Sequence, residues 1–222
     1  MRTIERLRED SLLSAEINKL ESRLWRQCVR DDLKTVLVTS PIRGEGKSTT
    51  VAYLATALGL FPGRKILAMD FDLRVPSLNR EFEVEVQQGI ESVLAGKVEL
   101  KNAITRTTLA GLDVCLPSGK ADHELLHQTE ALRRAFTYAR EHYDMVLIDT
   151  PAVIPVADAT ALMPFADGVV LVAMAGKSTE PYLRRALTIC EGLDARMLGL
   201  VVGNVREAAP EYLVGDYNYY YE

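Results

Sequence analysis

Ten residues constrain this chain more than any others: Ser40-Pro41-Ile42-Arg43-Gly44-Glu45-Gly46-Lys47-Ser48-Thr49. An apolar, β-rich run from Thr35 to Ser40 leads into them, and Val51, Leu54, Ala55 and Leu58 share one helical face just after them. A strand, a glycine-containing turn ending in Gly-Lys-Ser and a helix, in that order, form a phosphate-binding loop. Gly44 and Gly46 let backbone N–H groups turn inward around phosphate oxygens, and the helix beginning near Lys47 adds its positive end. Lys47 is expected to reach the β- and γ-phosphates of a nucleotide, and the Ser48 hydroxyl to coordinate Mg²⁺. Arg43, Gly44, Glu45, Gly46 and Thr49 complete the expected nucleotide-binding loop, with Pro41 standing where the strict pattern has glycine.

In an open parallel sheet such a loop sits beyond the carboxyl end of a strand, and the chain supplies further strands. Apolar runs recur at Ile66 to Asp70, Leu112 to Pro117, Met145 to Asp149, Gly168 to Met174 and Met197 to Val202. Each is nearly all apolar, as strands buried on both faces are. Helix-like stretches at Lys47 to Leu60, Asp122 to His142 and Glu180 to Leu193 alternate with them, which predicts parallel strands with right-handed crossovers. The expected fold class is therefore α/β, a mostly parallel central sheet sandwiched by helices, similar to the P-loop NTPases. Before it, Ile17, Leu20, Leu24 and Cys28 recur at helical spacing among charges, so residues 1–30 read as a helical segment packed on a core of residues 31–205, with Trp25 contributing to the packing. Residues 206–222 hold five of the nine tyrosines and little aliphatic content, and read as a flexible tail.

The second strand runs into Asp70-Phe71-Asp72-Leu73-Arg74-Val75-Pro76, and the fourth into Asp149-Thr150-Pro151. Both would meet the phosphate loop at the carboxyl edge of the sheet, and acids facing a phosphate site imply a metal ion. Mg²⁺ binds through few carboxylates and retains waters, so Asp72, Asp149 and Ser48 suffice.

Composition narrows the alternatives. A net charge of -5 gives no global attraction for nucleic acid. The longest apolar stretches, such as Gly168 to Gly176, are about half of the ~20 residues a membrane helix needs. The first residues mix charges of both signs without a secretory apolar core, so a cytoplasmic location is expected. Cys28, Cys115 and Cys190 lack metal-ligand spacing and read as inert buried thiols, while His123, His127 and His142 have no supporting pattern.

Taken together, these residues resemble the bacterial tyrosine kinases of capsule and exopolysaccharide synthesis. The resemblance rests on GEGKST as Walker A, DFDLRVPSLNREF (Asp70 to Phe82) as Walker A′, VLIDTPAVIPVADA (Val146 to Ala159) as Walker B, AGKST (Ala175 to Thr179) and the terminal tyrosines. It implies a protein-tyrosine autokinase using ATP and Mg²⁺. Lys47 would contact phosphate, Ser48, Asp72 and Asp149 would organise the metal, and Asp70 would be the base for the tyrosine hydroxyl. Tyr212, Tyr217, Tyr219, Tyr220 and Tyr221 would be the acceptors. It further implies self-association, a phosphotyrosine phosphatase as counterpart, and an activator at the inner face of the membrane, the cytoplasmic tail of a polysaccharide chain-length regulator.

Three positions depart from the family pattern. Arg43 replaces a proline and is read as pointing outward. Leu20 replaces the glutamate of the E-x-x-R-x-x-R motif, leaving Arg23 and Arg26. Gly203 stands where an adenine-contacting asparagine belongs, with Asn204 one residue later. Two other readings stand beside the kinase: a switch ATPase of the partition and division-site type, which carries an extra lysine where this chain has Ile42, and a regulatory scaffold that binds nucleotide without catalysis.

Overall fold

In the computed structural model, which describes residues 1–205, the apolar runs form β1 (Thr35–Thr39), β2 (Ile66–Asp70), β4 (Leu112–Cys115), β5 (Met145–Asp149), β6 (Gly168–Met174) and β7 (Met197–Gly203). They are joined by a two-residue strand, β3 (Thr105–Arg106). The sheet order is β3-β4-β2-β5-β1-β6-β7, with every neighbouring pair parallel except β3 and β4. The expected α/β sandwich is therefore present. β1, β2 and β5 are buried at every position because helices cover both faces of the sheet.

One face is covered by α3 (Lys47–Gly59), whose Val51, Leu54, Ala55 and Leu58 are fully buried. Over it lie α1 (Arg2–Glu9), α2 (Ser11–Asp31) and α4 (Leu78–Phe82). The opposite core is built by α5 (Ile90–Leu94), α6 (Leu100–Ala103), α7 (Thr129–His142), α8 (Asp158–Leu162) and α9 (Glu180–Glu191).

The N-terminal segment packs as expected, through buried Leu24 and Cys28. Arg64 fastens it: its guanidinium lies 3.8 Å from the Trp25 ring centroid and 4.0 Å from that of Phe61, and bonds the buried Glu21 at 2.5 Å. The glutamate beside the motif arginines is thus committed within the chain. The three cysteines are free and buried.

Several expectations need correction. The helix read through Ile17, Leu20, Leu24 and Cys28 is α2, which Asp10 caps by accepting the Leu13 amide at 2.9 Å, and α1 is a further helix before it. The stretch from Asp122 is broken: residues 123–127 form a 3-10 turn and α7 starts only after Gln128, whose ψ of 72° is not helical. β7 is not buried on both faces but is an edge strand, with Leu200 51% and Val202 47% exposed. The expected tail, residues 206–222, lies outside the described residues.

At the amino end of the sheet, Asp167 ties three elements together. It accepts the Lys34 and Thr35 amides at 2.8 Å each, and the Arg140 guanidinium at 2.7 and 2.8 Å. Burial alone would raise this carboxyl, but the Arg140 and backbone hydrogen bonds hold it below its ordinary value. Asp167→Ala should cost about 2–4 kcal/mol, since it orphans the half-buried Lys34 amide, the buried Thr35 amide and a guanidinium. A carboxyl with a depressed folded pKa stabilises above its unfolded value of about 4 and loses that effect as pH falls through the folded one. The deficit of the variant, measured by urea unfolding, should therefore be full near neutrality and shrink below about pH 4. An unchanged denaturation midpoint would discount this tie.

Candidate functional site

The phosphate loop forms because β1 ends inside the sheet and the chain must reverse into α3. Two threonines fix its flank: Thr39 donates to the Pro151 carbonyl at 2.9 Å, and Thr150 to that of Val38 at 3.0 Å. Gly44 (φ +76°) and Gly46 (φ +90°) adopt the left-handed conformations the loop requires. Among the described residues the Gly44 and Glu45 amides have no acceptor in the protein. Lys47, at the first position of α3, is 7% exposed.

β2 lies beside β5 with Asp70 in register with Asp149, which brings the two acidic loops together. The Asp70 Oδ1 accepts the Asp72 amide at 2.9 Å, and its Oδ2 accepts those of Ser77 at 3.1 Å and Leu78 at 3.3 Å. Burial pushes this carboxyl up to about 6, against the pull of those amides. Asp72 is half-buried and accepts the Val75 amide at 3.0 Å. Burial raises its carboxyl too, while the Val75 amide and then the Lys47 and Arg43 charges oppose the rise. Arg74 secures the loop by bonding Asp158 on α8 at 2.8 Å.

Asp149 is fully buried, and neither of its oxygens completes a hydrogen bond. Burial first and the Asp70 charge second push its carboxyl well above the ordinary value, while Lys47 and the facing Ser48 hydroxyl act in the opposite sense. A buried acceptor pair without donors is costly unless something binds it, and beside a hydroxyl and a phosphate loop the fitting ligand is a hard cation. Among the described residues no three His, Cys, Asp or Glu side chains form a ready metal cage. Mg²⁺ at a nucleotide needs none, because phosphates and water complete its shell. Ser48, Asp149 and Asp72 fit that ion.

The expected residues thus converge, with exceptions. The side chains of Arg43 and Thr49 are exposed, while the Arg43 charge still acts on Asp72. The buried Glu45 carboxylate is turned away to the Ile42 amide, 2.9 Å, and the Ser178 hydroxyl. Asn204 lies at the end of β7 and donates to the Ala175 carbonyl at 3.4 Å, so its described partner is the β6–α9 turn. Asp70 does not satisfy the geometry of a base: it has 0% exposure and both oxygens are held by amides. It anchors the loop, whereas Asp72 is only half-buried and lies within reach of the Lys47 and Arg43 charges.

A family model described as an AAA domain matches residues 34–181. Tyrosine-protein kinase YwqD of Bacillus subtilis (strain 168) is 33% identical over 196 residues, covering 86% of this chain and 81% of that protein. The chain belongs to the bacterial tyrosine-protein kinase family. The succinoglycan biosynthesis transport protein ExoP of Rhizobium meliloti (strain 1021) is 29% identical over 177 residues, 76% of this chain but 22% of that protein. Among solved structures, the VpsO kinase domain matches with a TM-score of 0.77 and 28% identity, over 93% of this chain and 100% of that one. The septum site-determining protein MinD of Pyrococcus horikoshii, complexed with Mg-ADP, matches with a TM-score of 0.66 and 26% identity, over 82% and 76%. Kinase and division ATPase share the fold, so the fold alone does not choose between them.

Within the tyrosine-kinase family frame, the contacts that sequence reasoning missed are those made across the sheet. Asp158 as partner of Arg74, and Ser178 and Lys177 as partners of the phosphate loop, lie 84 to 134 positions away in the chain. The AGKST run was visible, but nothing in it indicates what it touches.

Proposed function

We propose that the chain is a protein-tyrosine autokinase that transfers the γ-phosphate of MgATP to tyrosines of its own C-terminal segment, between chains, and so regulates capsular or exopolysaccharide synthesis and export. The observation that carries the reading is the meeting of the phosphate loop with the Asp70–Pro76 loop, whose Asp-x-Asp-x-Arg-x-Pro spacing is that of the kinases. The amides of Gly44 and Glu45 and the Lys47 ammonium hold the β- and γ-phosphates, while Ser48 and Asp149 would hold Mg²⁺, with Asp72 reaching it through a water. The ion neutralises charge on the transferring group. A tyrosine with a pKa of ~10 arrives protonated, and a loose transition state asks little of a base until bond formation is late. Asp72 is placed to take that proton.

Tyr212, Tyr217, Tyr219, Tyr220 and Tyr221 are the proposed acceptors. The activator is the cytoplasmic tail of a membrane chain-length regulator, which recruits the kinase to the inner face of the membrane; the relation to ExoP, where the match is a small part of a transport protein, supports it. Among the described residues no helix is long and apolar enough to cross a membrane. A phosphotyrosine phosphatase reverses the modification.

The test mixes an inactive Lys47→Met chain with an active chain truncated after Val214, in the presence of radiolabelled ATP and phosphotyrosine detection. Tyrosine label on the inactive chain is expected. No label there while full-length protein labels normally would refute transfer between chains. Nucleotide hydrolysis without any phosphotyrosine would move the protein to the switch ATPases.

A further inference from the structure

The turn after β6 grips the phosphate loop from behind. Gly176, at φ +79°, reverses the chain, the Lys177 and Ser178 amides close onto the Met174 carbonyl at 3.0 and 2.9 Å, and the Ser178 oxygen accepts the Met174 amide at 2.8 Å. This compact turn makes two attachments to the loop. The Ser178 hydroxyl bonds Glu45, whose other oxygen accepts the Ile42 amide. The Lys177 ammonium donates to the carbonyls of Arg43 and Gly44 at 2.8 and 3.0 Å.

The carbonyls chosen by Lys177 are informative. The Arg43 carbonyl belongs to the same peptide unit as the Gly44 amide, and the Gly44 carbonyl to that of Glu45. In a planar trans peptide the two groups point in opposite directions. A cation on the two carbonyls therefore turns both N–H groups to the opposite side, and neither of these amides has an acceptor among the described residues. The charge also polarises both peptides, strengthening them as donors. Position 44 is shaped to admit this: a Cβ there would lie 2.7 Å from the lysine nitrogen.

We propose that Lys177 is a positioning residue for nucleotide binding, which holds and polarises the anion-binding amides of Gly44 and Glu45 from the side opposite the phosphates. It rests on the nucleotide-binding reading of the loop and adds a second lysine to it, one that never touches the nucleotide. Its effect falls on the affinity for di- and triphosphates. The reacting phosphate remains the charge of Lys47.

The test measures MgADP binding with a fluorescent nucleotide analogue, and steady-state turnover, in wild type, Lys177→Met and Lys177→Arg. Lys177→Met should weaken MgADP binding and raise the KM for ATP by roughly tenfold, the scale of losing a charged hydrogen-bond donor. Turnover at saturating ATP should stay within about twofold, and the nucleotide-free melting temperature should hold, because the side chain is exposed. Lys177→Arg, which can still donate to two carbonyls, should recover most of the affinity. Unchanged affinity in Lys177→Met, with or without a lower melting temperature, overturns the proposal. So does an equal fall in turnover that arginine fails to rescue, since that would place the lysine on the reacting group. If wild type binds no MgADP, the nucleotide reading fails and the proposal with it; if it binds and the methionine variant matches it, the proposal fails alone.

Discussion

Lys47→Met is expected to lower ATP-dependent tyrosine phosphorylation by about a thousandfold or more, the scale on which a preorganised charge at a transferring group acts. Lys47 is buried at the start of α3, facing Asp72 and Asp149. A methionine keeps the apolar stem and the helix, so circular dichroism and the unfolding midpoint should stay close to wild type, apart from a small loss where two acids lose a cation. The comparison is made at saturating MgATP in the presence of the activating tail. Phosphotyrosine at wild-type level in this variant would remove Lys47 from the mechanism, whatever the loop resembles.

Asp149→Asn should have opposite effects on activity and stability. Activity should fall by at least about a hundredfold, because metal coordination supplies several kcal/mol of charge stabilisation. In chelator, however, the variant should be more stable than wild type by about 1–2 kcal/mol, since it removes a charge buried beside Asp70 whose oxygens complete no hydrogen bond and which Lys47 offsets only in part. The gain is bounded because asparagine also leaves a buried amide without partners. A carboxyl raised by burial carries its full penalty above its folded pKa, and the penalty declines as pH falls from that value to the unfolded one of about 4. The advantage should therefore be full above the raised value of Asp149 and shrink as pH falls below it, as the neighbouring Asp70, raised to about 6, is neutralised too. Chemical denaturation with and without Mg²⁺ measures both. A destabilised variant at all pH values would show that Asp149 serves packing and not a cation.

Sequence pattern revealed the strands wherever burial on both faces removes ambiguity: β1, β2, β5 and β6 were legible as continuous apolar runs. At β7 it found the strand but not its place, an equally apolar run at the edge of the sheet, because hydrophobicity does not say how many neighbours a strand has. It failed at β3, too short for any period, and at α1, where Leu7 is the main apolar contact among charges. The phosphate loop and the acids were legible because motif spacing ties chemistry to a strand end. The different roles of Asp70 and Asp72 were not, since both follow the same strand and only the amides of Ser77 and Leu78 reveal which one is enclosed.

The central place of β1 also governs when the protein can begin to work during its synthesis. The phosphate loop precedes most of the sheet in the chain, yet its strand lies between β5 and β6, and Thr150 reaches back 112 positions to close its flank. Pairings so distant in the chain close slowly and only after the intervening segment exists. At ~5–20 residues per second, translation passes the Walker A segment many seconds before the strands that shape it emerge. A nascent chain halted before β6 would carry every Walker motif and still lack both a neighbour of β1 and the turn that grips the loop. Competence to bind nucleotide thus waits for β6 and its turn, and release of such fragments would yield chains that display the motifs without the site.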